Sequence, residues 1–196
     1  MTEVEASSSE WLGALQRLAG RVAHEIKNPL NAVAVNLEVV RARCARGAVE
    51  PSAVLPFAET AASELDRVAR LVDALLALAR PGGSDLAGIA APVITLYDAL
   101  ASAEGGSVAM DLSEGGTGID IAADEARAAL AATLDEMVGP GVAVRVHVVR
   151  DGDRIAARFS GPRVTPKLPA DVRLHAELSG LTLLFPARTR DGSLAE

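Results

Sequence analysis

Two long amphipathic segments separated by only a few residues constrain the fold of this chain more than any other feature. The first segment is capped by serines at residues 7–9 and ends near Arg46, with Gly47 and Pro51 predicting the break. Its apolar side chains recur at spacings of three and four residues, which is typical of one face of a helix. These side chains are Leu15, Ala19, Val22, Ile26, Val33, Leu37 and Val40.

The second segment runs from residue 52 to about residue 80 and has its own apolar stripe. Two long helices joined by a short loop form an antiparallel hairpin. Three further leucines widen the stripe, so one hairpin carries more apolar surface than it can bury. We therefore expect dimerisation into a four-helix bundle. The stripe consists of Ala58, Ala61, Leu65, Val68, Val72, Leu75 and Ala79, and the additional leucines are Leu71, Leu76 and Leu78.

Beyond the hairpin, the pattern changes to short alternating segments between helices. A Pro-Gly-Gly-Ser linker at 81–84 separates the two parts. The sequence therefore predicts an α+β fold with a helical hairpin (1–80), a linker (81–84) and an α/β sandwich (85–196). Helices are predicted within 86–103 and at 124–137, and strands at 107–112, 118–121, 142–150, 154–160, 172–178 and 181–185.

Composition excludes several classes of function. The net charge of −7, with no basic arm, argues against a nucleic-acid partner. The lone Cys44 permits no internal disulfide and has no metal-ligand companions, as expected in a reducing cytoplasm. No apolar run approaches the length of a membrane span, and the N-terminus has no leader pattern. We therefore expect a soluble cytoplasmic protein with no membrane association and no bound metal.

A polar stripe centred on His24 follows the solvent side of the first predicted helix. At roughly 100° per residue, His24 lies nearly opposite Val22 and Ile26, and Asn28 and Asn31 fall on the same face as His24. A neutral imidazole is a good nucleophile near pH 7, because its pKa lies close to that pH. His24 is therefore the candidate nucleophile.

The neighbours of His24 have the chemistry that such a nucleophile needs. The carboxylate of Glu25 can accept the ring proton or fix the tautomer of the imidazole. The amide of Asn28 can orient a water or a phosphoryl oxygen, and the cations Arg21 and Lys27 favour an incoming anion. Pro29 removes one helical hydrogen bond and predicts a bend beside the reacting residue.

The run His-Glu-Ile-Lys-Asn-Pro-Leu at 24–30 resembles the H-box of two-component histidine kinases without a gap. The resemblance implies that His24 accepts a phosphoryl group, and that the position of Asn28 is associated with removing phosphate from a partner receiver. It also implies that the hairpin is a dimerisation and phosphotransfer domain. The implied partners are receiver domains of response regulators, with a hybrid histidine kinase among the candidates. The residues placed to bind a receiver are Arg21, Lys27, Asn31, Ala34 and Val35.

The order of elements after the linker resembles the ATP-binding domain of the same family, with its ligands missing. In the family the central helix carries an Asn for Mg²⁺ and nucleotide phosphates, but residues 126–137 contain no Asn. Phe159 replaces the Asp that reads adenine, and Arg163 replaces the second Gly of that motif. Residues 162–171 leave no room for a Gly-rich lid. We therefore expect this chain to bind no ATP or other cofactor, with Mg²⁺ held by the partner receiver.

The chain combines an intact phospho-acceptor helix with a nucleotide domain that lacks its ligand-binding residues. This combination resembles the bacterial histidine phosphotransferases built on a degenerate kinase scaffold. The expected function is a phosphorelay step in which His24 takes phosphate from one receiver and gives it to another. Two alternatives stay open. One is a receiver phosphatase in which Asn28 positions a water. The other is a non-catalytic pseudokinase that regulates a true kinase by forming mixed dimers.

Overall fold

The computed structural model describes residues 3–47, 50–113, 116–177 and 180–188 and has an α+β fold, which confirms the predicted fold class. A helical hairpin comes first, and a five-stranded sheet with two helices follows. The helices are α1 (Glu3–Cys44), α2 (Leu55–Leu78), α3 (Leu86–Ala103) and α4 (Ala123–Met137), with a 3₁₀ turn at Pro51–Ala53. The strands are β1 (Ser107–Leu112), β2 (Ala143–Asp151), β3 (Arg154–Ser160), β4 (Arg173–Glu177) and β5 (Gly180–Pro186).

The ends of the hairpin helices differ from the prediction at two points. Helix α1 begins at Glu3, so the serines at 7–9 lie inside it and do not cap it. Serine has a helix propensity only modestly below that of alanine, so a helix can continue through these positions. Helix α2 begins at Leu55, because Pro51 opens a 3₁₀ turn instead of the helix. The break itself is confirmed, since Gly47 has a φ of 112° that other residues rarely adopt.

The buried faces of the hairpin differ from the predicted stripes. In α1 the buried apolar side chains include Trp11, Ala14, Leu18 and Val22, because the N-terminal half of this helix packs against α4. Several members of the predicted stripes are exposed instead. Leu37 is 52% exposed, Leu65 49% and Val72 40%. The two helices thus have more apolar surface than their contacts within one chain cover.

The sheet has the strand order β1-β2-β3-β5-β4, in which only the β1–β2 pair is parallel. Helices α3 and α4 contribute to one continuous core with the alternate, inward side chains of the strands. Val146 and Phe159 are directly paired across β2 and β3 on this side, and both are buried. The opposite side of β2 and β3 carries exposed Arg145 and Arg158.

The strand predicted at 118–121 is wrong. These residues form only two isolated bridges, Asp85 with Gly118 and Ile119 with Ala187. Their amides bond to separate segments: Ile119 donates to the carbonyl of Ser84 at 2.7 Å and Asp120 to that of Pro186 at 2.9 Å. Backbone groups used in this way are not available for a sheet ladder. The end of the strand predicted at 172–178 lies outside the described residues.

Helix α3 corrects the expectation that no apolar run approaches the length of a membrane span. Its 18 residues have a mean hydropathy of 1.5, which by length and composition alone suffices for a span. In the fold, however, 56% of this helix is buried between the hairpin, α4 and the sheet. A core helix that is covered on several sides is apolar for the same physical reason as a spanning helix.

Gly82 marks a close approach between the linker and α4. A Cβ atom at this position would lie 2.1 Å from the Cβ of Ala123, whereas one at Gly83 would have nothing within 4 Å. We therefore expect Gly82→Ala to lower the free energy of unfolding by about 1–3 kcal/mol, as overpacking does. Chemical denaturation measures the change, with Gly83→Ala as the matched control. Equal stability of the two variants would contradict the close packing seen here.

Candidate functional site

His24 lies near the middle of α1 with its side chain exposed, as the helical pattern predicted. It forms part of an open cleft of about 440 Å³ between α1 and the C-terminal end of α3. The second half of the chain therefore contributes one wall beside the imidazole. The cleft is lined by Arg21, His24, Glu25 and Asn28 from α1 and by Leu100, Ala103 and Glu104 from the other side.

Glu25 and Asn28 lie between this cleft and a second one. The second cleft, of about 510 Å³, is bounded by α1, α2 and α3, and its cations are Arg67 and Arg70. The Asn28 amide donates a long hydrogen bond of 3.4 Å to the Glu25 carboxylate. Since this bond is weak and exposed, both groups can exchange it for a bond to a substrate or a water. The sequence predicted that Glu25 and Asn28 lie beside His24, and in the structure all three side chains line one cleft.

Arg21 is held by the second half of the chain. Its Nη1 donates to Oδ1 of Asp135 at 2.9 Å, and the hydroxyl of Tyr97 donates to the same oxygen at 2.7 Å. Tyr97 is 1% exposed. Burial is the main reason why the pKa of its phenol is raised, and the charge of Asp135 adds to the effect, so the hydroxyl remains a donor. No local pattern indicated Asp135, which is 114 residues away from Arg21.

The other residues predicted to bind a receiver are Lys27, Asn31, Ala34 and Val35, and all four are exposed along α1. Val35 is the most exposed large apolar side chain of the described residues, at 65%. A partner could reach every one of these side chains without a change in the fold. Their role in receiver binding stays a prediction.

Phe159 and helix α4 stand where the resemblance to the kinase ATP-binding domain places nucleotide-binding residues, and both have other roles in this structure. Phe159 is 2% exposed and belongs to the core between the sheet and the helices. Helix α4 buries most of its residues, and none of them is an Asn. Among the residues that the structure describes, no group of three His, Cys, Asp or Glu side chains could hold a metal ion. A buried phenyl ring offers adenine no hydrogen-bond acceptor.

The hairpin is similar to a known family of domains. The model of the His Kinase A (phospho-acceptor) domain matches residues 14–84, which comprise most of α1, α2 and the linker. This match confirms the resemblance of the hairpin to the phospho-acceptor hairpin of histidine kinases that the H-box indicated. His24 and the run at 24–30 lie within the matched residues. No curated relative matches the sequence.

Solved structures with low similarity include histidine kinases and a phosphotransferase. The Acinetobacter baumannii histidine kinase AdeS is 11% identical, with 85% of this chain and 98% of that chain covered and a TM-score of 0.43. A bacterial phosphotransferase is 14% identical (88% and 94% covered, TM-score 0.42). The histidine kinase ThkA, solved in complex with the response regulator TrrA, is also 14% identical (94% and 66% covered, TM-score 0.41). The fold assignment rests on the hairpin and the sheet order themselves.

Proposed function

We propose that this chain is a cytoplasmic histidine phosphotransferase of a bacterial two-component phosphorelay. His24 accepts a phosphoryl group from the phosphoaspartate of one receiver domain and passes it to the aspartate of another. The observation that carries this proposal is the exposed His24 on a phospho-acceptor helix, in an open cleft with Glu25 and Asn28. An open cleft admits a second protein, which a transfer between proteins requires.

The chemistry of one transfer can be written from these side chains. A ring nitrogen of neutral His24 attacks the phosphorus, so an N–P bond forms while the P–O bond to the receiver carboxylate breaks. The electron pair of the broken bond stays on the aspartate. The single ring proton of His24, on the nitrogen that does not attack, then passes to Glu25 or to a water held by Asn28. The reverse sequence delivers the group to the aspartate of the next receiver.

The second half of the chain supports a relay rather than a kinase. Its residues do not fit ATP, because Phe159 belongs to the core and α4 offers no Asn for a nucleotide-bound Mg²⁺. No step of the proposed transfer passes through ATP. The phosphoryl group comes from a receiver, and the Mg²⁺ that assists the transfer is carried by that receiver.

Exposed apolar side chains support a second copy of this chain as a further partner. Leu65, Val72 and Leu76 follow one another at spacings of seven and four along α2, and each is at least 40% exposed. On α1, Leu30 and Leu37 are also exposed at a spacing of seven. Such surface is the seam along which two hairpins form a four-helix bundle. A homodimer would carry two copies of His24.

We expect the pair Leu65→Glu and Leu76→Glu to convert the dimer into a monomer, because each glutamate would have to be desolvated in the apolar seam. Light scattering coupled to gel filtration measures the mass over a range of concentrations. Leu112→Glu is the matched control, since Leu112 is 55% exposed but lies on β1, away from the hairpin. A wild-type mass of one chain at every concentration would contradict the dimer.

Labelled phosphate tests the relay itself. Purified chain is incubated with a receiver that carries labelled phosphoaspartate, or with labelled ATP, and the label on each protein is followed on a gel. The proposal predicts acid-labile, base-stable label on this chain from the receiver and none from ATP. Release of the label as free phosphate, with none on His24, would instead identify a phosphatase. Label gained from ATP alone would identify a kinase.

A pseudokinase that acts by forming mixed dimers gives a third result. Label on every receiver tested would then stay unchanged, while a true histidine kinase would co-purify with the chain and with His24→Ala alike. That outcome would refute the phosphotransferase, because the regulatory contact would not depend on His24.

A further inference from the structure

A hydrogen-bonded cluster links the phospho-acceptor helix to the core of the second half of the chain. Oδ1 of Asp135 accepts from Nη1 of Arg21 at 2.9 Å and from the hydroxyl of Tyr97 at 2.7 Å. The Tyr97 oxygen also lies 3.1 Å from the carbonyl oxygen of Ala131, one turn earlier on α4. The guanidinium carbon of Arg21 is 6.0 Å from the centre of the Tyr97 ring. One carboxylate oxygen thus joins α1, α3 and α4.

The cluster is anchored in the core by the buried side chain of Tyr97. The Tyr97 ring is in the core, so its hydroxyl holds Asp135 from the inside. The charged ends reach the surface, where the side chains of Arg21 and Asp135 are 44% and 30% exposed. A surface arginine that samples many rotamers loses conformational entropy when it binds, whereas one already held by a carboxylate loses less. The cluster therefore orients Arg21 before any partner arrives.

Arg21 lies one helical turn before His24, and both side chains line the same cleft. A guanidinium has five N–H donors in a planar fork, and the bond to Asp135 is made through Nη1. The remaining donors suit the oxygens of a phosphoryl or carboxylate group. Since the charge of Arg21 is balanced by that of Asp135, its contribution is short-range hydrogen bonding rather than attraction at a distance.

From this geometry we infer that Asp135 and Tyr97 are positioning residues of the phosphotransfer site, which hold Arg21 at the edge of the His24 cleft to bind a docked receiver. The inference rests on the proposed function. It gives the second half of the chain a role in the transfer that needs no nucleotide. Asp135 and Tyr97 touch no reacting atom and act only through Arg21.

A double-mutant cycle separates positioning from general structural support. The variants are Arg21→Ala, Asp135→Asn and the double variant, and the rate of transfer to His24 is measured against receiver concentration. Asp135→Asn is expected to raise KM about 5- to 10-fold with little change in kcat, as the loss of a well-oriented charged hydrogen bond does. In the Arg21→Ala background, the same change is expected to have no further effect. Additive effects of the two substitutions would overturn the inference.

Further variants distinguish hydrogen bonding from charge. Arg21→Lys keeps the charge but loses the planar fork, so it is expected to raise KM as much as Arg21→Ala. Tyr97→Phe removes only the hydroxyl and is expected to give a smaller increase in KM. Asp111→Asn is the matched control, because it breaks a surface ion pair of the same length, 2.9 Å to Arg145, on the open side of the sheet. A lysine variant that transfers as well as wild type would overturn the role assigned to the fork.

Two additional measurements distinguish a loss of receiver binding from damage to the site around His24. Phosphoramidate, a small phosphoryl donor that needs no docking, is expected to label His24 in wild type and Asp135→Asn at equal rates. Equal loss of labelling with both donors would show a damaged site and overturn the inference. Titration of wild type and Asp135→Asn with the receiver gives Kd without any transfer. If wild type binds the receiver but transfers no phosphate, the proposed function fails. Equal Kd values for wild type and Asp135→Asn would reject the positioning role, whether or not transfer occurs.

Discussion

His24→Ala is expected to lower the transfer of phosphate from a receiver to this chain by about 10³-fold or more, because the substitution removes the nucleophile itself. No other described side chain in the cleft is a histidine or a cysteine, so none replaces it. The label retained by the chain after incubation with a phosphorylated receiver measures the loss. His175→Ala is the matched control, since His175 is also exposed but lies on β4.

The variant Asn28→Ala, compared with His24→Ala, distinguishes a phosphotransferase from a phosphatase. In a phosphotransferase, this variant keeps label on His24, because the amide assists the reaction without forming a bond to phosphorus. In a phosphatase, phosphate release from the receiver would survive His24→Ala and fail in Asn28→Ala. That reversed pattern would contradict the proposed function, and both variants can be assayed in one experiment with the same receiver.

Phe159→Asp is expected to have the largest effect on stability. Phe159 is 2% exposed and pairs with Val146 on the core side of the sheet, so an aspartate there would lose the apolar contacts of the ring and bury a carboxylate. Both effects act in the same direction, and together they are expected to cost about 3–5 kcal/mol of unfolding free energy. Although the substitution places an acid where the ATP-binding domain that this half resembles has one, it is expected to create no nucleotide binding.

Chemical denaturation with and without Mg²⁺–ATP measures both expectations. Ser160→Asp is the matched control, because Ser160 is the next residue on β3 and is exposed. A Phe159→Asp variant that is as stable as wild type, and that ATP stabilises further, would show that the nucleotide site is intact except for this residue.

The features that could be predicted from the sequence are those with a local cause. The hairpin of β2 and β3 follows from alternating side chains on both sides of Gly152, whose φ of 61° suits a tight turn. The exposed position of His24 follows from the helical period, and the H-box runs without a gap. The α+β fold class follows from the same patterns. The domain boundaries at 80 and 85 stay a prediction.

The features that could not be predicted depend on residues far apart in the chain. Helical periodicity gives the apolar positions of α1, but it does not indicate that Trp11 and Leu18 are buried while Leu37 stays exposed. In the same way, Arg21 has the sequence pattern of a free surface cation, although it is bound to Asp135. Only the tertiary structure brings these residues together, so no local rule could have found them.

A relay between two receivers tests the central proposal most directly. A small amount of this chain is added to one receiver that carries labelled phosphoaspartate and to a second receiver that carries none, without ATP. We expect label to appear on the second receiver in several-fold excess over the amount of this chain, and we expect His24→Ala to transfer none. Label that leaves the first receiver only as free phosphate, or that reaches the second receiver equally fast with His24→Ala, would contradict a phosphotransferase.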